Sequence, residues 1–516
     1  MQSNRFFMLF SALLFLGLSL VCNAAQRPNV IFILTDDQRD DTLTCYNPDS
    51  PVKTPNIDRL ANEGVLFENM FVTTSLCSPS RASFLSGLYA HAHGVVNNFT
   101  DYPHDLASFP KHLQEVGYKT AYIGKWHMGE QDDSKRPGFD YWATHKGQGQ
   151  YFDTTFNIVP DGQEKGKREV LKGYYTTRIT DLAVDWMQKI AKTEKKAKTE
   201  QPFLLILGHK APHTPFTPEK KYEKLLEKIP FPYPESAFTL EDKPKWVQER
   251  LDTWHGIYGP LFGFREKFPD RSKKAQKHFE AFVRAYLSTI ASVDVSTGRI
   301  YDELKKLGKL ENTLILFAGD NGFFLGEHGM TDKRTMHEPS IRVPLLARYP
   351  REIRAGQREK KMVLSLDVAP TVLDFCSAPP LKNIHGKSWR PLVSSSFTRL
   401  AKRRAERDWR KSWIYVYNYE KQFPYTPNVR GVRTDTWKYV HYPHGDGTPD
   451  RHKAELYNLA KDPGELKNLI DDARYAGEVK RLQRELERQL KATGASPDKM
   501  PIDEGVKQEL PDAAIR

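Results

Sequence analysis

The sequence predicts an α/β fold, and three observations carry that prediction. Short apolar runs, Asn29 to Leu34, Tyr118 to Ile123, Phe203 to Leu207 and Thr313 to Ala318, each stop abruptly at polar or charged residues. Runs of this length and composition read as buried strands. Between them lie segments with apolar residues at helical spacing, Pro55 to Glu63, Thr177 to Ile190 and Gln276 to Leu307, the first and last stopped by Gly64 and Gly308. Beyond Arg410 the pattern changes to short β-rich pieces, Trp413 to Tyr417, Arg430 to Thr434 and Trp437 to Tyr442, which predict a small second sheet. The stretch from Pro379-Pro380 to Arg410 reads as a linker or exposed crossover, and Ala476 to Ala492 as a charged amphipathic helix.

At the N-terminus, Arg5 precedes an apolar run from Phe6 to Val21 and then Asn23-Ala24-Ala25, the layout of a secretory signal peptide. Residues 1–25 are therefore set aside as a signal for export to the periplasm or beyond the cell, residues 26–400 as the main α/β domain and residues 401–516 as a C-terminal subdomain. No other stretch is long and apolar enough for a stable membrane span. Without the signal, Cys45, Cys77 and Cys376 remain; if Cys77 has its own chemistry, one pair is left that could bridge. The formal charge of +12 suits a polyanionic substrate through steering. Much of the excess lies in Lys192 to Lys198 and Leu400 to Lys411, which read more simply as solvated faces. Nucleic acid is disfavoured, since no recognised binding motif is present and the chain is exported.

The strand stops carry the chemistry, because ligands collect at the carboxyl ends of strands in an open parallel sheet. Asn29 to Leu34 ends in Thr35-Asp36-Asp37, and Thr313 to Ala318 ends in Gly319-Asp320-Asn321-Gly322. Taken singly, each acidic pair is an ordinary turn or cap. Facing each other, they would form a hard-oxygen cage suited to calcium or magnesium rather than zinc. Tyr118 to Ile123 leads into Gly124-Lys125-Trp126-His127-Met128-Gly129, and Phe203 to Leu207 into Gly208-His209-Lys210-Ala211-Pro212-His213. A further piece, Leu325-Gly326-Glu327-His328-Gly329, is followed by Asp332-Lys333-Arg334. Cys77-Ser78-Pro79-Ser80-Arg81 predicts a helix start, with Ser78 as N-cap and Pro79 in the first turn, so that Cys77 sits where backbone N–H groups favour an anion.

In this order, from about Pro28 to Leu469, these motifs resemble the type I sulfatases. The resemblance implies an alkaline phosphatase-like sandwich, a large mixed, mostly parallel sheet between helices, with a small C-terminal antiparallel sheet. It implies that Cys77 is oxidised by a formylglycine-generating maturation enzyme to an aldehyde that is hydrated at rest. One hydroxyl of the hydrate would attack sulfur, and the other, losing its proton, would expel sulfate from the same carbon. By the same resemblance Asp36, Asp37, Asp320 and Asn321 bind one Ca²⁺, with the modified Cys77 as a further ligand. Arg81 orients the diol, Lys125 and Lys333 grip sulfate oxygens, His127 holds the diol and accepts its proton, and His213 protonates the leaving sugar oxygen. His209, Lys210 and His328 are supporting candidates.

The segment His91-Ala92-His93-Gly94-Val95-Val96-Asn97-Asn98 and the stretch from Lys333 to Leu345 look more like glucosamine-6-sulfatases and mucin-desulfating sulfatases than arylsulfatases. The expectation is an exo-acting carbohydrate sulfatase tested first on N-acetylglucosamine 6-sulfate, with N-sulfoglucosamine, iduronate and algal-polysaccharide sulfatases as alternatives. Met128 replaces the leucine common at its position, and the insert from Phe231 to Arg271 has no counterpart; it is either a wall of the sugar pocket or a surface excursion. Outside the sulfatases, a phosphomonoesterase or phosphonate hydrolase of the same superfamily would share the metal site, and a glycan-binding protein would retain an unconverted Cys77.

Overall fold

The computed structural model describes residues 27–248, 271–443, 452–500 and 505–506. The signal-like segment and much of the Phe231 to Arg271 insert lie outside them. The predicted α/β core is present as one ten-stranded sheet. Its strands, in chain order, are β1 (Asn29–Thr35), β2 (Val65–Phe67), β3 (Lys119–Gly124), β4 (Tyr141–Thr144), β5 (Phe152–Val159), β6 (Lys167–Tyr174), β7 (Phe203–Gly208), β8 (Thr313–Gly319), β9 (Leu345–Arg348) and β10 (Gln357–Glu359). They lie side by side in the order β10-β2-β9-β8-β1-β7-β3-β4-β5-β6, with β9 and β5 running against the rest.

The alternation of side chains explains why the central strands read as continuous apolar runs. Val30, Phe32 and Leu34 of β1 enter one apolar core, while Ile31 and Ile33 enter the other. Both faces are covered, so neither set can be polar. One face receives α1 (Pro55–Asn62), α3 (Tyr175–Ala197) and α4 (Lys273–Lys306). The other receives α2 (Cys77–Ser86) and α5 (Val368–Phe375). Gly308, at φ +69°, ends α4 where the sequence predicts.

The second sheet is antiparallel in simple order: β11 (Ser412–Tyr417), β12 (Val429–Thr434), β13 (Trp437–His441) and β14 (Glu455–Asn458). The predicted tail helix, α7 (Ala476–Ala492), covers it with Leu482 and Leu486; the preceding crossover contains α6 (Arg399–Arg407). The sheet is fastened to the main domain beside Cys77. The Val416 amide donates to the Thr73 carbonyl at 3.1 Å, and the Thr74 hydroxyl donates to the Val416 carbonyl at 2.6 Å. Phe71 stacks on Trp413 with ring centroids 5.3 Å apart. Among the described residues, Cys45, Cys77 and Cys376 are free thiols. Among the described residues, no helix is long and apolar enough to cross a membrane.

The start of α1 is held from a distance. Thr54 makes no side-chain cap bond. Instead the Asp294 carboxylate on α4 accepts the Asn56 and Ile57 amides, both at 2.9 Å, and the Asn56 side-chain amide at 2.8 Å. This leaves few orphan donors at a buried helix end. Asp294→Ala is expected to destabilise the protein by about 1–3 kcal/mol, read as a lower urea midpoint; an unchanged midpoint would show that water satisfies these amides equally well.

Candidate active site

Adjacent parallel strand ends deliver most of the site. Asp36 and Asp37 follow β1, Asp320 and Asn321 follow β8, Lys125 and His127 follow β3, and His213 follows β7. Thr35 lies opposite Gly319, and Gly124 opposite Gly208, so these residues leave the sheet along one edge. The edge is tight. A Cβ on Gly124, already at φ +109°, would lie 2.0 Å from the Gly208 carbonyl oxygen. Only glycine allows Lys125 to turn inward here.

Cys77 meets this edge from the start of α2. The helix begins at Cys77 itself and its N-cap is Leu76, which corrects the expectation of a Ser78 cap. The reason is that the Ser78 hydroxyl is engaged elsewhere: it donates to the His127 carbonyl, while the Ser78 amide donates to Asn98 Oδ1 at 3.1 Å. Ser78 thus ties the His127 loop to the helix. The Cys77 thiol points at Asp36 Oδ1, 3.3 Å away.

The other predicted residues close around it. Lys333 Nζ lies 3.3 Å and Lys125 Nζ 4.0 Å from Cys77 Sγ. Lys125 also donates to Asp36 and Lys333 to Asp37. Arg81, one turn along α2, donates from Nε to Asp320 Oδ2 at 2.8 Å and from Nη1 to the Lys125 carbonyl at 2.5 Å. Asn321 Nδ2 donates to Asp37 Oδ1 at 2.6 Å, and the Asp37 amide to Asp320 Oδ1 at 3.1 Å. His213 Nε2 is 3.8 Å from Asp37 Oδ2. His127 Nε2 faces Glu130 Oε1 at 2.9 Å. Asp37 at φ +61° and His127 at φ +52° occupy the left-handed region, costly backbone positions of the kind that gather at functional sites.

All ten side chains that the sequence predicts for the site are buried; Glu130 is partly exposed. Burial alone would raise the Asp36 pKa, but the charges of Lys125, Arg81 and Lys333 outweigh it and hold the carboxylate far below its ordinary range. For Asp320 burial prevails, with help from the Asp36 charge, and lifts the group to about 7. Asp37 is also raised, chiefly by burial against the pull of Lys333. Burial and the neighbouring Asp36 carboxylate push the Cys77 thiol up to about 12, so it is protonated at neutral pH and a poor nucleophile. Burial and the charge on Lys125 push Lys210 down to about 7.

A cation has ligand atoms here. Asp36, Asp37, Cys77 and His213 each offer one, all within 4.8 Å of one another; Asp320 is not in this group, and the thiol and imidazole are not the hard donors that calcium takes, so the fit to a hard cation rests on the oxygens. Asp37 Oδ2 and Asn321 Oδ1 are buried oxygens with no hydrogen-bond partner among the described residues. Unmatched oxygens beside carboxylates are donors of the kind that calcium or magnesium takes.

The supporting candidates divide. Lys210 Nζ donates to the Thr214 carbonyl at 3.1 Å and reaches the Gln148 carbonyl at 3.4 Å, on the rim of the site. His209 Nε2 faces Ser296 Oγ at 3.5 Å, and His328 packs on His337 with ring centroids 4.6 Å apart. Sequence reasoning missed Gln148, whose Oε1 accepts from Lys125, and Glu130, which faces His127. Both line a cleft of about 890 Å³ beside the cluster, together with Phe99, His145, Arg168 and Phe423. The described part of the Phe231 to Arg271 insert does not line this cleft; Ser236 accepts the His328 amide and Lys243 donates to the Glu465 carbonyl.

The family model described as sulfatase matches residues 28–377. The chain belongs to the sulfatase family. This sulfatase is accordingly a sulfuric ester hydrolase, and a second family model, N-sulphoglucosamine sulphohydrolase, C-terminal, matches residues 326–492. It is 34% identical over 511 residues to an N-acetylglucosamine-6-O-sulfatase of Bacteroides thetaiotaomicron, covering 90% of this chain and 86% of that protein. A solved structure in complex with its substrate, D-glucosamine-2-N,6-O-disulfate, is 31% identical and superposes with a TM-score of 0.78 over 92% of this chain and 100% of that chain. The phosphonate monoester hydrolase of Agrobacterium radiobacter shares the fold at 22% identity, with a TM-score of 0.69 over 90% of this chain and 96% of that one.

Lys333 is carried by a strained turn that the small sheet holds in place. Asp332 and Arg334 flank it at φ +82° and +86°. Arg334, fully buried, pairs with Asp332 and donates from Nε to Glu420 Oε2 at 2.6 Å. Tyr415 Oη donates to the Arg334 carbonyl at 2.6 Å and accepts the Ser75 amide at 3.0 Å, bridging the turn to the approach to Cys77. Glu420→Ala would leave a buried guanidinium short of a partner and is expected to cost about 3–5 kcal/mol in urea unfolding; a loss under about 1 kcal/mol would mean that Asp332 alone suffices.

Proposed function

We propose that this sulfatase removes sulfate from the terminal sugar of a sulfated glycan, with N-acetylglucosamine 6-sulfate as its first substrate. The observation that carries this reading is the placing of Lys125 and Lys333, each with its ammonium within 4.0 Å of Cys77 Sγ, in a chain 34% identical to an N-acetylglucosamine-6-O-sulfatase. Two fixed cations beside the reacting position suit a singly charged sulfate ester.

Asp36, Asp37, Asp320 and Asn321, with position 77, would hold one Ca²⁺, which when bound supplies positive charge that acidifies the attacking hydroxyl and offsets charge on sulfate. Formylglycine, made from Cys77 by the maturation enzyme, would supply the hydrated aldehyde as nucleophile. The high pKa of the unmodified thiol supports a role other than that of a thiolate. Arg81 orients position 77 from a fixed fork of donors already set by Asp320 and the Lys125 carbonyl. Lys125 and Lys333 bind the nonbridging sulfate oxygens. His127, with Glu130 at its Nε2, takes the proton of the diol. His213 donates a proton to the departing sugar oxygen, and the cleft lined by Gln148 and Phe423 receives the ring.

The charges support this assignment. Three buried carboxylates, Asp36, Asp37 and Asp320, already balance Arg81, Lys125 and Lys333. A divalent cation can then enter with two further negative charges, those of the sulfate ester and an ionised nucleophile, at no net cost in buried charge. A phosphomonoesterase or phosphonate hydrolase is the second reading, favoured only by the shared fold. We place the enzyme in the periplasm or outside the cell on its signal-like N-terminus.

Matured protein should release sulfate from N-acetylglucosamine 6-sulfate, lose activity on chelation and recover it with calcium. Cleavage of phosphonate esters and of none of a panel of sulfated mono- and disaccharides would overturn the reading. Cys77→Ala is expected to abolish turnover at an unchanged urea midpoint, and Arg81→Lys to lower kcat roughly a hundredfold; near-normal turnover by Cys77→Ala would contradict the role of position 77.

A further inference from the structure

The segment from His91 to Asn98 takes no part in the chemistry assigned above, yet the fold ties it closely to the helix that carries Cys77. It leaves a single helical turn, Ala90–His93, at Gly94 in the left-handed region. Two contacts then fasten it to α2. His93 Nε2 meets Ser83 Oγ at 3.1 Å, and Asn98 Oδ1 accepts the Ser78 amide at 3.1 Å. Ser83 lies further along α2 than Ser78, so the loop runs back towards Cys77. The Val95 amide donates to His93 Nδ1 at 3.1 Å, and Asn97 Oδ1 accepts the Phe99 amide at 3.0 Å and the Thr100 hydroxyl at 2.8 Å. These bonds fix the backbone on both sides of Asn98. Just beyond, a Cβ on Gly129 would lie 2.1 Å from Asp101 Oδ1, so the loop also abuts the turn that follows His127.

What this loop delivers is a pair of neighbouring side chains, Asn98 and Phe99, both on the wall of the 890 Å³ cleft. They are of opposite kinds. Asn98 is buried, and because its Oδ1 faces a backbone amide, the end left over is its NH₂ group. That Nδ2 has no hydrogen-bond partner among the described residues. A buried donor left unpaired is costly, and an acceptor on a bound ligand removes the cost. Phe99, by contrast, is a large apolar side chain left 43% exposed. One face of a pyranose ring presents mainly C–H groups, which pack on an aromatic surface. The same cleft joins Phe99 to Gln148, whose side chain accepts from Lys125. An apolar wall with a few fixed polar groups is the ordinary composition of a small-ligand site.

Resting on the carbohydrate sulfatase reading above, we propose that Asn98 and Phe99 recognise the sugar and not the sulfate: Asn98 Nδ2 donates to an oxygen of the sulfated pyranose, and the Phe99 ring packs on its C–H face. Both residues determine specificity, and neither touches the reacting bond. A sulfated pyranose gains both contacts, whereas an inorganic sulfate ion gains neither. The division of labour is spatial, with Lys125 and Lys333 at the charged end of the substrate and the 97–99 loop beside its ring.

Calorimetry on the full-length chain in a Cys77→Ala background, with calcium present, tests this without turnover. Affinity for N-acetylglucosamine 6-sulfate is compared with affinity for inorganic sulfate. Asn98→Ala and Phe99→Ala should each weaken binding of the sugar sulfate about tenfold and leave inorganic sulfate within about twofold of the background. Phe99→Tyr, which keeps the ring, should bind the sugar sulfate as the background does. Equal weakening of both ligands would overturn the proposal, because the loop would then act only by holding α2 and position 77. Unchanged affinity for the sugar sulfate in either alanine variant, or no affinity for it in the background protein, would overturn it too. If matured wild type released no sulfate from any sugar, the functional reading would fall, while the calorimetric comparison would still judge these two residues.

Discussion

Everything in the site depends on three buried carboxylates facing three buried cations around position 77. Asp36 with Lys125, Asp37 with Lys333 and Asp320 with Arg81 each satisfy a charge that burial would otherwise make very costly. Such a cluster is a weak source of stability. Its value lies in preorganisation, because charges fixed in a water-poor cavity need not reorganise when a reacting group develops charge. The balance is also poised. Asp320 is lifted to about 7 by burial and by Asp36, and Asp37 Oδ2 and Asn321 Oδ1 have no hydrogen-bond partner among the described residues.

The fold holds this cluster by two separate devices. The parallel order of β8, β1, β7 and β3 brings four strand ends into one row, which fixes the carboxylates, Lys125 and His213 relative to each other. Cys77 and Lys333 do not come from that row. Their segments are clamped by the small sheet, where Tyr415 bonds both Ser75 and Arg334 and Glu420 pairs with Arg334. The C-terminal subdomain is thus part of the geometry of the site.

Much of this was legible because strand-end chemistry leaves an imprint in sequence. Apolar runs buried on both faces stop where Asp36, Lys125 and Asp320 begin, and the Cys77 to Arg81 pattern places two site residues one turn apart. The Ser78 cap was misjudged because sequence offers no sign that the hydroxyl is claimed by the His127 carbonyl. Gln148 lies 23 residues beyond Lys125 in a turn without apolar pattern, so nothing local connects them. Glu130 stands only three residues after His127, but their contact requires the left-handed turn at His127. The Tyr415 and Glu420 clamps depend on how two sheets dock, which spacing along one chain does not encode.

The central claim is that this balanced cluster accepts a single divalent cation beside position 77. Calorimetric titration of metal-stripped full-length protein with calcium tests it most directly. The account requires one site per chain, lost in Asp37→Ala while the fold persists. Two equivalent ions per chain, as a two-metal phosphatase would bind, or no binding at all, would contradict it.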